Sequence, residues 1–240
     1  MSLSKKNLIY SGKAKSLYTT EKDDLLMMEF RDDTTAFDGI KHEKLAHKGV
    51  VNNHINAYLM QLLNQEGVPT HFEILIPPDQ SVVKHLKMIP LESIVRNIAA
   101  GSLCRRLGIT NSTKLDPALY ELFLKNDELH DPMINDNHAI HFGWATKEQL
   151  EQMQELSLKA NKVLTRRFAE AGLLLVDAKF EFGIFNGKMY LGDEISPDSC
   201  RIWDSVTHET LDKDRFRQDL GGVVAAYEQV AERLGIALAV

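Results

Sequence analysis

Charged and apolar residues alternate along residues 177–182 of the 240-residue chain. Side chains two positions apart share a face of a β-strand, so this pattern predicts a strand with one charged and one apolar face. Asn186-Gly187 is a strong turn signal, and Lys188–Ile195 returns, so the segment predicts a β-hairpin. The charged residues are Asp177, Lys179 and Glu181, and the apolar residues are Ala178, Phe180 and Phe182.

The rest of the pattern predicts short strands early in the chain and longer elements after them. Apolar residues at helical spacing predict a helix over Lys48–Gln65 that ends before Gly67. A capping box at Thr146 begins a long amphipathic helix that runs to about Ala171. The other predicted strands lie at 7–11, 15–20, 25–30, 70–76 and 81–87, and within 90–102, where a strand gives way to a turn of small residues. The other predicted helices lie at 102–108, at 117–125 and from Asp212 or Asp214 to Leu234.

The segment Met88–Leu91 predicts a joint between a small N-terminal lobe and the rest of the chain. We therefore expect one domain over residues 1–88, rich in β-strands, and a second over residues 89–240 that combines helices and strands. A joint of this kind often lines a nucleotide site at a domain interface.

Composition narrows the class of protein. The hydrophobic content of 44% is enough for one large or two small domains with a core. With 28 basic and 34 acidic residues, the net charge of −6 does not suggest a nucleic-acid-binding protein. Cys104 and Cys200 lack metal-ligand spacing, so we expect a reducing compartment. No apolar run suits a signal peptide or a membrane span, and we expect a cytoplasmic protein without a membrane partner.

The charged face of the predicted hairpin suits magnesium and phosphate. Its second strand ends in Asp193-Glu194, so carboxylates of two adjacent strands could share Mg²⁺, which prefers one or two protein carboxylates with phosphates and water. A strict two-residue turn would pair Phe185 with Lys188 and place Glu181 and Asp193 on opposite faces. The shared site therefore predicts a longer turn or a bulge. The alternative is a solvated face with cross-strand ion pairs.

Two early segments carry candidate phosphate ligands. Lys13 and Lys15 share a face of a predicted strand–turn–strand flap beside Gly12, and lysine binds phosphate as a point charge. A solvated edge strand is the alternative. The segment Arg31–Gly39 is predicted to be a loop whose carboxylates and hydroxyls bind a sugar phosphate or polar substrate, or else serve turns and helix caps.

Arginines mark a second candidate site. Arg96 projects from a predicted strand that leads into Gly101-Ser102, where a helix start and a hydroxyl could bind an anion. A salt bridge from Arg96 to Glu92 or another neighbour is the competing interpretation. Arg217 lies near the start of the last helix, where a cation is unfavourable, so either a ligand or a contact with Glu209 or Asp219 would explain it.

Several segments together resemble the phosphoribosylaminoimidazole-succinocarboxamide synthase (SAICAR synthetase) family of purine biosynthesis, in its stand-alone form. They are GKAKSLY at 12–18, PLESIVRNIAAGS at 90–102, VDAKFEFG at 176–183, LGDEISPDSCR at 191–201 and DKDRFRQDLGG at 212–222. The resemblance implies an α+β fold similar to ATP-grasp and kinase architectures, with a small β-rich lobe over a larger α+β lobe. It also implies ATP, Mg²⁺, carboxyaminoimidazole ribonucleotide (CAIR) and L-aspartate as ligands, and a homodimer.

The resemblance assigns roles to sixteen residues. Catalytic roles go to Lys179, which stabilises charge on the transferring group, and to Asp177, and the Mg²⁺ ligands are Glu181 and Asp193. The ATP-binding residues are Lys13, Ala14, Lys15, Lys84, Met88 and Lys125. The residues that bind the ribonucleotide or aspartate are Arg96, Ser102, Asp131, Asp198, Arg201 and Arg217.

Other functions stay open on the residues alone. A different ATP-dependent carboxylate–amine ligase would share the charged face but need another substrate pocket. A protein-kinase-type phosphotransferase should carry H-R-D and D-F-G segments, and this sequence has neither. A non-catalytic nucleotide-binding protein would bind ATP and Mg²⁺ without releasing phosphate.

Overall fold

The computed structural model describes residues 3–36 and 40–238. The strands are β1 (Leu8–Ser11), β2 (Lys15–Thr19), β3 (Leu25–Phe30), β4 (Asp33–Ala36), β5 (Lys41–Lys44), β6 (Phe72–Ile76), β7 (Gln80–Lys84), β8 (Lys87–Ile98), β9 (Lys114–Leu124), β10 (Met133–Ile134), β11 (Leu173–Phe185), β12 (Lys188–Leu191) and β13 (Cys200–Asp204). The helices are α1 (Lys48–Gln65), α2 (Ser102–Leu107), α3 (Asp136–His141), α4 (Lys147–Glu170), α5 (Asp214–Arg217) and α6 (Val223–Arg233), with a 3₁₀ turn at Asp127–Leu129.

Two antiparallel sheets organise the chain. The first has the strand order β1-β2-β3-β7-β6. The second has the order β10-β9-β8-β11-β12, and β13 also pairs with β11. The long helix α4 packs on β11 and β8, and α1 packs on α6 and on strands of the first sheet. This arrangement confirms the predicted α+β, two-lobed fold with a β-rich N-terminal part.

The alternating pattern of β11 places its two faces as predicted. Ala178, Phe180 and Phe182 are buried in the main hydrophobic core, together with Leu59 of α1 and Phe168 of α4. Burying an aromatic or aliphatic side chain stabilises the fold by roughly 1.5–3 kcal/mol each. The apolar face therefore anchors β11, and the charged face is held toward the opposite side of the strand.

The hairpin turn differs from the prediction. Phe185 pairs with Lys188, so the turn has two residues and the expected longer turn or bulge in the hairpin is wrong. Glu181 and Asp193 converge by another route, because Asp193 lies beyond the end of β12 with φ at 51°. A left-handed residue leaves the alternation of a strand, and aspartate adopts this conformation more readily than most residues. The two carboxylates thus approach the same lysine, Lys179.

Three other predictions are corrected by the structure. Residues 117–125 are not a helix, because 117–124 belong to β9, which pairs with β8 and β10. The single last helix is divided into α5 and α6 by a segment that contains Gly221 and Gly222, both with positive φ. Within the predicted loop Arg31–Gly39, residues 33–36 form β4, while Phe37, Asp38 and Gly39 lie outside the described residues.

The predicted boundary at residues 1–88 and 89–240 stays a prediction. The first sheet ends with β7 at Lys84, and the second begins with β8 at Lys87. However, Leu59 and Leu63 of α1 share one continuous core with the second sheet, so the packing does not stop at the joint. In the part of the chain that the structure describes, no helix combines the length and apolar character needed to cross a membrane.

Candidate active site

A cleft of about 820 Å³ brings most of the predicted site residues together. It is lined by the turn between β1 and β2, by β8 and β11, and by the segment after β12. Thirteen of the sixteen predicted site residues line it: Lys13, Ala14, Lys15, Arg96, Ser102, Lys125, Asp131, Asp177, Lys179, Asp193, Asp198, Arg201 and Arg217. Glu181 lies directly behind the lining, because its carboxylate contacts Lys179 and Lys125.

Lys179 is at the centre of a cluster of carboxylates. Its Nζ lies 2.9 Å from Glu92 Oε1, 2.5 Å from Glu181 Oε1 and 3.6 Å from Asp193 Oδ2. Burial alone would lower the pKa of this ammonium, but Glu181, Asp193 and Glu92 raise it well above its ordinary value. Lys179 is therefore a permanent cation and not a proton acceptor at neutral pH.

Lys15 extends this cluster from the first sheet. Its Nζ donates to Asp193 Oδ1 and to Glu194 Oε1, both at 2.5 Å. Burial would raise the pKa of the Asp193 carboxyl, but Lys15, Lys179 and Lys125 hold it well below its ordinary value. The turn before Lys15 is fixed by Arg31, whose Nη2 donates to the Gly12 carbonyl at 2.6 Å. A carboxylate that is ionised at every ordinary pH suits a divalent cation.

Arg96 is the centre of a second, deeper cluster. It is 1% exposed, and it donates to Glu121 Oε2 at 2.6 Å, to Asp177 Oδ2 at 2.9 Å and to Ser102 Oγ at 3.3 Å. Glu92 pairs with Lys179 instead, so the Glu92–Arg96 salt bridge is wrong, while a salt bridge of Arg96 with another neighbour is confirmed by Glu121 and Asp177. Arg201 donates to the same Asp177 Oδ2 at 2.8 Å, which joins the two arginines at the cleft wall.

Asp198 lies at the edge of a third cluster, whose other members Lys48, Asn52 and Tyr227 are buried. Its Oδ2 accepts hydrogen bonds from Lys48 Nζ at 2.7 Å and Asn52 Nδ2 at 3.0 Å, and its Oδ1 accepts one from Tyr227 Oη at 2.7 Å. Burial would raise the pKa of this carboxyl, but Lys48 and Lys213 hold it well below its ordinary value. The charge of Asp198 is therefore fixed at the floor of the cleft.

Several charged residues of the site have no counterpart among the predicted ones. Lys48 begins α1, which the sequence predicts only as core packing, and Glu121 lies on β9, which was predicted to be helical. Arg217 pairs with Asp214 at 2.5 Å and not with Glu209 or Asp219. Asp214 and Lys213 could have been predicted as site residues, because both lie in the DKDRFRQDLGG motif. Tyr227 sits on an ordinary amphipathic helix and gave no signal.

Lys84 and Met88 do not line the cleft. Lys84 at the end of β7 forms an ion pair with Glu73, and its Nζ lies 5.3 Å from the centre of the Tyr190 ring. Met88 at the start of β8 is 42% exposed and lies against the backbone of Gly183 and Gly192. Their role in ATP binding stays a prediction.

The metal prediction rests on two carboxylates. No group of three or more histidine, cysteine, aspartate or glutamate side chains within residues 3–36 and 40–238 forms a metal cluster. Glu181 and Asp193 fit the donor chemistry of Mg²⁺, because hard cations take carboxylate oxygens and Mg²⁺ needs only one or two of them beside phosphate and water. Cys200, which also lines the cleft, is buried with a raised thiol pKa and does not contribute a thiolate.

His71 gives the site a pH-dependent stability. Its ring is buried, and Nε2–H donates to the Asp193 carbonyl at 3.0 Å. Burial lowers its pKa from 6.5 to about 4. The unfolded chain therefore binds an extra proton between pH 6.5 and 4, so we expect acidification through this window to remove up to about 3 kcal/mol of stability. Above pH 6.5 this contribution is complete.

Urea unfolding at pH 7.0 and 4.5 measures this effect. We expect His71→Gln to lose less stability than the parent between the two values, because the titrating group is gone. The control is His141→Gln, which replaces an exposed ring at the end of α3 and leaves His71 in place. An identical pH dependence of the parent and His71→Gln would contradict the assignment.

Comparison with known proteins places these clusters in a family. The sequence profile described as SAICAR synthetase matches residues 8–234. The phosphoribosylaminoimidazole-succinocarboxamide synthase of Coxiella burnetii is 64% identical over 238 residues, which cover 99% of each chain. That of Hahella chejuensis is 60% identical and covers 95% of this chain and 97% of its own.

Solved structures agree in both fold and sequence. The crystal structure of phosphoribosylaminoimidazole-succinocarboxamide synthase from Ehrlichia chaffeensis has a TM-score of 0.94 and 40% identity, with 96% of this chain and 99% of that chain covered. A SAICAR synthetase in complex with ADP has a TM-score of 0.91 and 44% identity, with coverage of 94% and 96%. With the motifs, the fold and the profile in agreement over nearly its whole length, the chain belongs to the SAICAR synthetase family.

Proposed function

We propose that this protein joins the carboxylate of CAIR to the amine of L-aspartate and couples this to cleavage of ATP, giving SAICAR, ADP and phosphate. One observation carries the proposal: in a chain of this family, a single cleft collects a lysine–carboxylate cluster around Lys179 and an arginine cluster around Arg96 and Arg201. The first suits a polyphosphate, and the second suits the anionic groups of a ribonucleotide.

The chemistry explains why ATP is needed. A carboxylate is a poor electrophile, and transfer of the γ-phosphoryl group to it gives an acyl phosphate and ADP. The aspartate amine then attacks the acyl carbon, phosphate leaves, and the nitrogen loses a proton. Phosphoryl transfer depends mainly on positioning and charge neutralisation, which a rigid set of cations supplies.

Residues of the small lobe and of β11 take the nucleotide roles. Lys13, Ala14 and Lys15 lie on the turn that covers the cleft, where they would contact ATP phosphates, and Lys125 reaches the same region from the end of β9. Lys179 would stabilise charge on the transferring group. The relative solved with ADP supports nucleotide binding in this fold.

Glu181 and Asp193 would hold Mg²⁺ together with phosphate oxygens. Bound there, the ion neutralises phosphate charge, while the chain itself keeps the Asp193 carboxylate ionised and aims both carboxylates at one point. Lys15 contacts the Asp193 carboxylate, and Lys179 contacts the carboxylates of Glu181 and Asp193. The chain therefore positions these oxygens without the ion.

The arginine cluster would bind the ribonucleotide. Arg96, Ser102 and Arg201 meet at the cleft wall near Asp177, and a guanidinium matches phosphate or carboxylate geometry with two donors. Asp131, Asp198 and Arg217 line the remaining surface, where aspartate would lie. A homodimer and a cytoplasmic location are proposed on family resemblance.

Phosphate release tests the proposal. We expect ADP and phosphate to form from ATP only when Mg²⁺, CAIR and L-aspartate are all present, with SAICAR formed in equal amount, and chelation of Mg²⁺ should stop release. Release without aspartate, or with a different acid and amine, would favour another carboxylate–amine ligase. ATP binding without release for any substrate pair would favour a non-catalytic nucleotide-binding relative.

A further inference from the structure

Lys213 differs from every other basic residue of the cleft. Each of the other seven basic side chains that line it has a carboxylate oxygen at 2.9 Å or less. The side chain of Lys213 forms no hydrogen bond or ion pair within residues 3–36 and 40–238, although it is partly buried and faces the cleft. A buried cation without a partner is costly, so its counter-charge is expected to arrive with a ligand.

The backbone holds Lys213 in place. Its N–H donates to the Pro197 carbonyl at 3.1 Å, which ties it to the segment that carries Asp198. Its own carbonyl accepts hydrogen bonds from the backbone N–H groups of Phe216 and Arg217 in the short helix α5. Two segments of the chain therefore fix the backbone of Lys213. Its side chain lines the cleft without an ion pair or hydrogen bond to the described residues.

The charges around Lys213 have the pattern that an amino acid requires. Burial lowers the pKa of its ammonium and the nearby Arg217 and Lys48 lower it further, whereas the Asp198 and Glu194 carboxylates act in the opposite direction. Among the described residues, Asp198 forms no ion pair with the nearby Lys213, and its Oδ1 accepts a single hydrogen bond, from Tyr227. A carboxylate oxygen accepts two, so this oxygen can accept another. Lys213 is a cation beside the Asp198 carboxylate, which can accept another hydrogen bond. This pair matches a ligand that carries both a carboxylate and an ammonium group.

The other two clusters leave this corner for the amine substrate. The lysines around Lys179 suit ATP, and Arg96 with Arg201 suits the anionic ribonucleotide. We propose that Lys213 binds a carboxylate of the amino-acid substrate and that Asp198 receives its ammonium group. This assignment rests on the proposed function, because it takes L-aspartate as the amine substrate.

The main test is Lys213→Met, which keeps the length of the side chain and removes its charge. We expect the KM for L-aspartate to rise about 10–100-fold, the range for a lost charge-assisted hydrogen bond, while the KM values for ATP and CAIR change less than about threefold. Lys213→Arg should recover most of the loss. Lys162→Met, which removes an exposed charge from α4, should leave all three KM values unchanged.

Substrate analogues identify the carboxylate. If Lys213 binds the side-chain carboxylate, the preference for L-aspartate over L-asparagine should narrow in Lys213→Met. If it binds the α-carboxylate, the preference over the α-amide of aspartate should narrow instead. A variant that keeps both preferences, or that loses affinity for CAIR, would overturn the proposal.

Two readouts do not depend on turnover. The ligand-free Lys213→Met protein should melt about 2–4 °C higher than the parent, because an unpaired buried charge is removed. Calorimetry with ADP, Mg²⁺ and CAIR present should show weaker L-aspartate binding by the variant. A parent that binds L-aspartate but does not turn over would contradict the proposed function alone, and equal L-aspartate affinity in parent and variant would contradict the role of Lys213 alone.

Discussion

Lys179→Met is expected to lower kcat about 10²–10³-fold, the usual loss when one preorganised charge donor is removed from the site of a developing negative charge. Lys179 is suited to this role because it is buried among Glu92, Glu181 and Asp193 and stays protonated. It contributes a positive charge whose position does not change during the reaction. Its loss should affect the chemical step more than nucleotide binding.

The variant also changes the charges that remain. Burial and Glu181 raise the pKa of Glu92, although Lys179 lowers it, so Glu92 in Lys179→Met should take up a proton. Glu181 keeps its contact with Lys125, so the two carboxylates do not lose all compensation. We therefore expect the variant to fold, and urea unfolding should be measured beside the kinetics.

Steady-state ADP and phosphate release, with and without L-aspartate, is the measurement. The matched control is Lys188→Met, which removes an exposed lysine from the turn of the same hairpin and should retain parental kcat. A Lys179→Met protein with full activity would keep the family assignment and move the charge stabilisation to another residue. An unfolded variant would be replaced by Lys179→Arg with the same readout.

Arg96→Met is expected to lower the free energy of unfolding by about 3 kcal/mol and the melting temperature by about 6–12 °C. Removing one partner of a buried ion pair typically costs about 3–5 kcal/mol, because the other charge is left without compensation. The lower end applies here, since Glu121 keeps Arg106 at 2.5 Å and Asp177 keeps Arg201 at 2.8 Å.

The same substitution should weaken binding of CAIR. If Arg96 contacts an anionic group of this substrate, its loss removes a charge-assisted hydrogen bond of about 1.5–3 kcal/mol, which corresponds to roughly 10–150-fold in KM. The KM for ATP should change little, because the lysine cluster is separate. Urea unfolding and substrate-dependent kinetics on one protein preparation measure both effects.

Arg105→Met is the control for Arg96. Arg105 is exposed on α2, so its loss should change neither stability nor the KM for CAIR. An Arg96→Met protein that is destabilised but binds CAIR normally would make Arg96 a structural residue only. An Arg96→Met protein as stable as the parent would contradict the stabilising role of the buried ion pairs that Arg96 forms with Glu121 and Asp177.

The local pattern of hydrophobic and polar residues is sufficient to predict much of the fold and the charged face of β11. The helices α1 and α4, the early strands and the alternating face of β11 lie where the sequence predicts them. Their signals are short-range, since a capping box or a two-residue period is complete within one element. The family motifs contain most of the residues that line the cleft.

The errors arise where distant parts of the chain decide the outcome. Residues 117–125 contain good helix formers, but pairing on both sides with β8 and β10 makes them a strand. Lys48 and Tyr227 reach Asp198 from positions 150 and 29 residues away, and neither contact has a local signal. The hairpin register was misjudged because one left-handed residue, Asp193, replaced the expected bulge.

The pairing of nearly every cation in the cleft with a carboxylate of the same chain affects how the site responds to salt. Lys15 and Lys13, for example, join the small lobe to Asp193 and Asp127 of the large lobe. A phosphate that enters must exchange places with these carboxylates instead of neutralising bare positive charge. The cleft therefore carries its own counterions, and its attraction for polyphosphates depends less on ionic strength than that of an uncompensated basic groove.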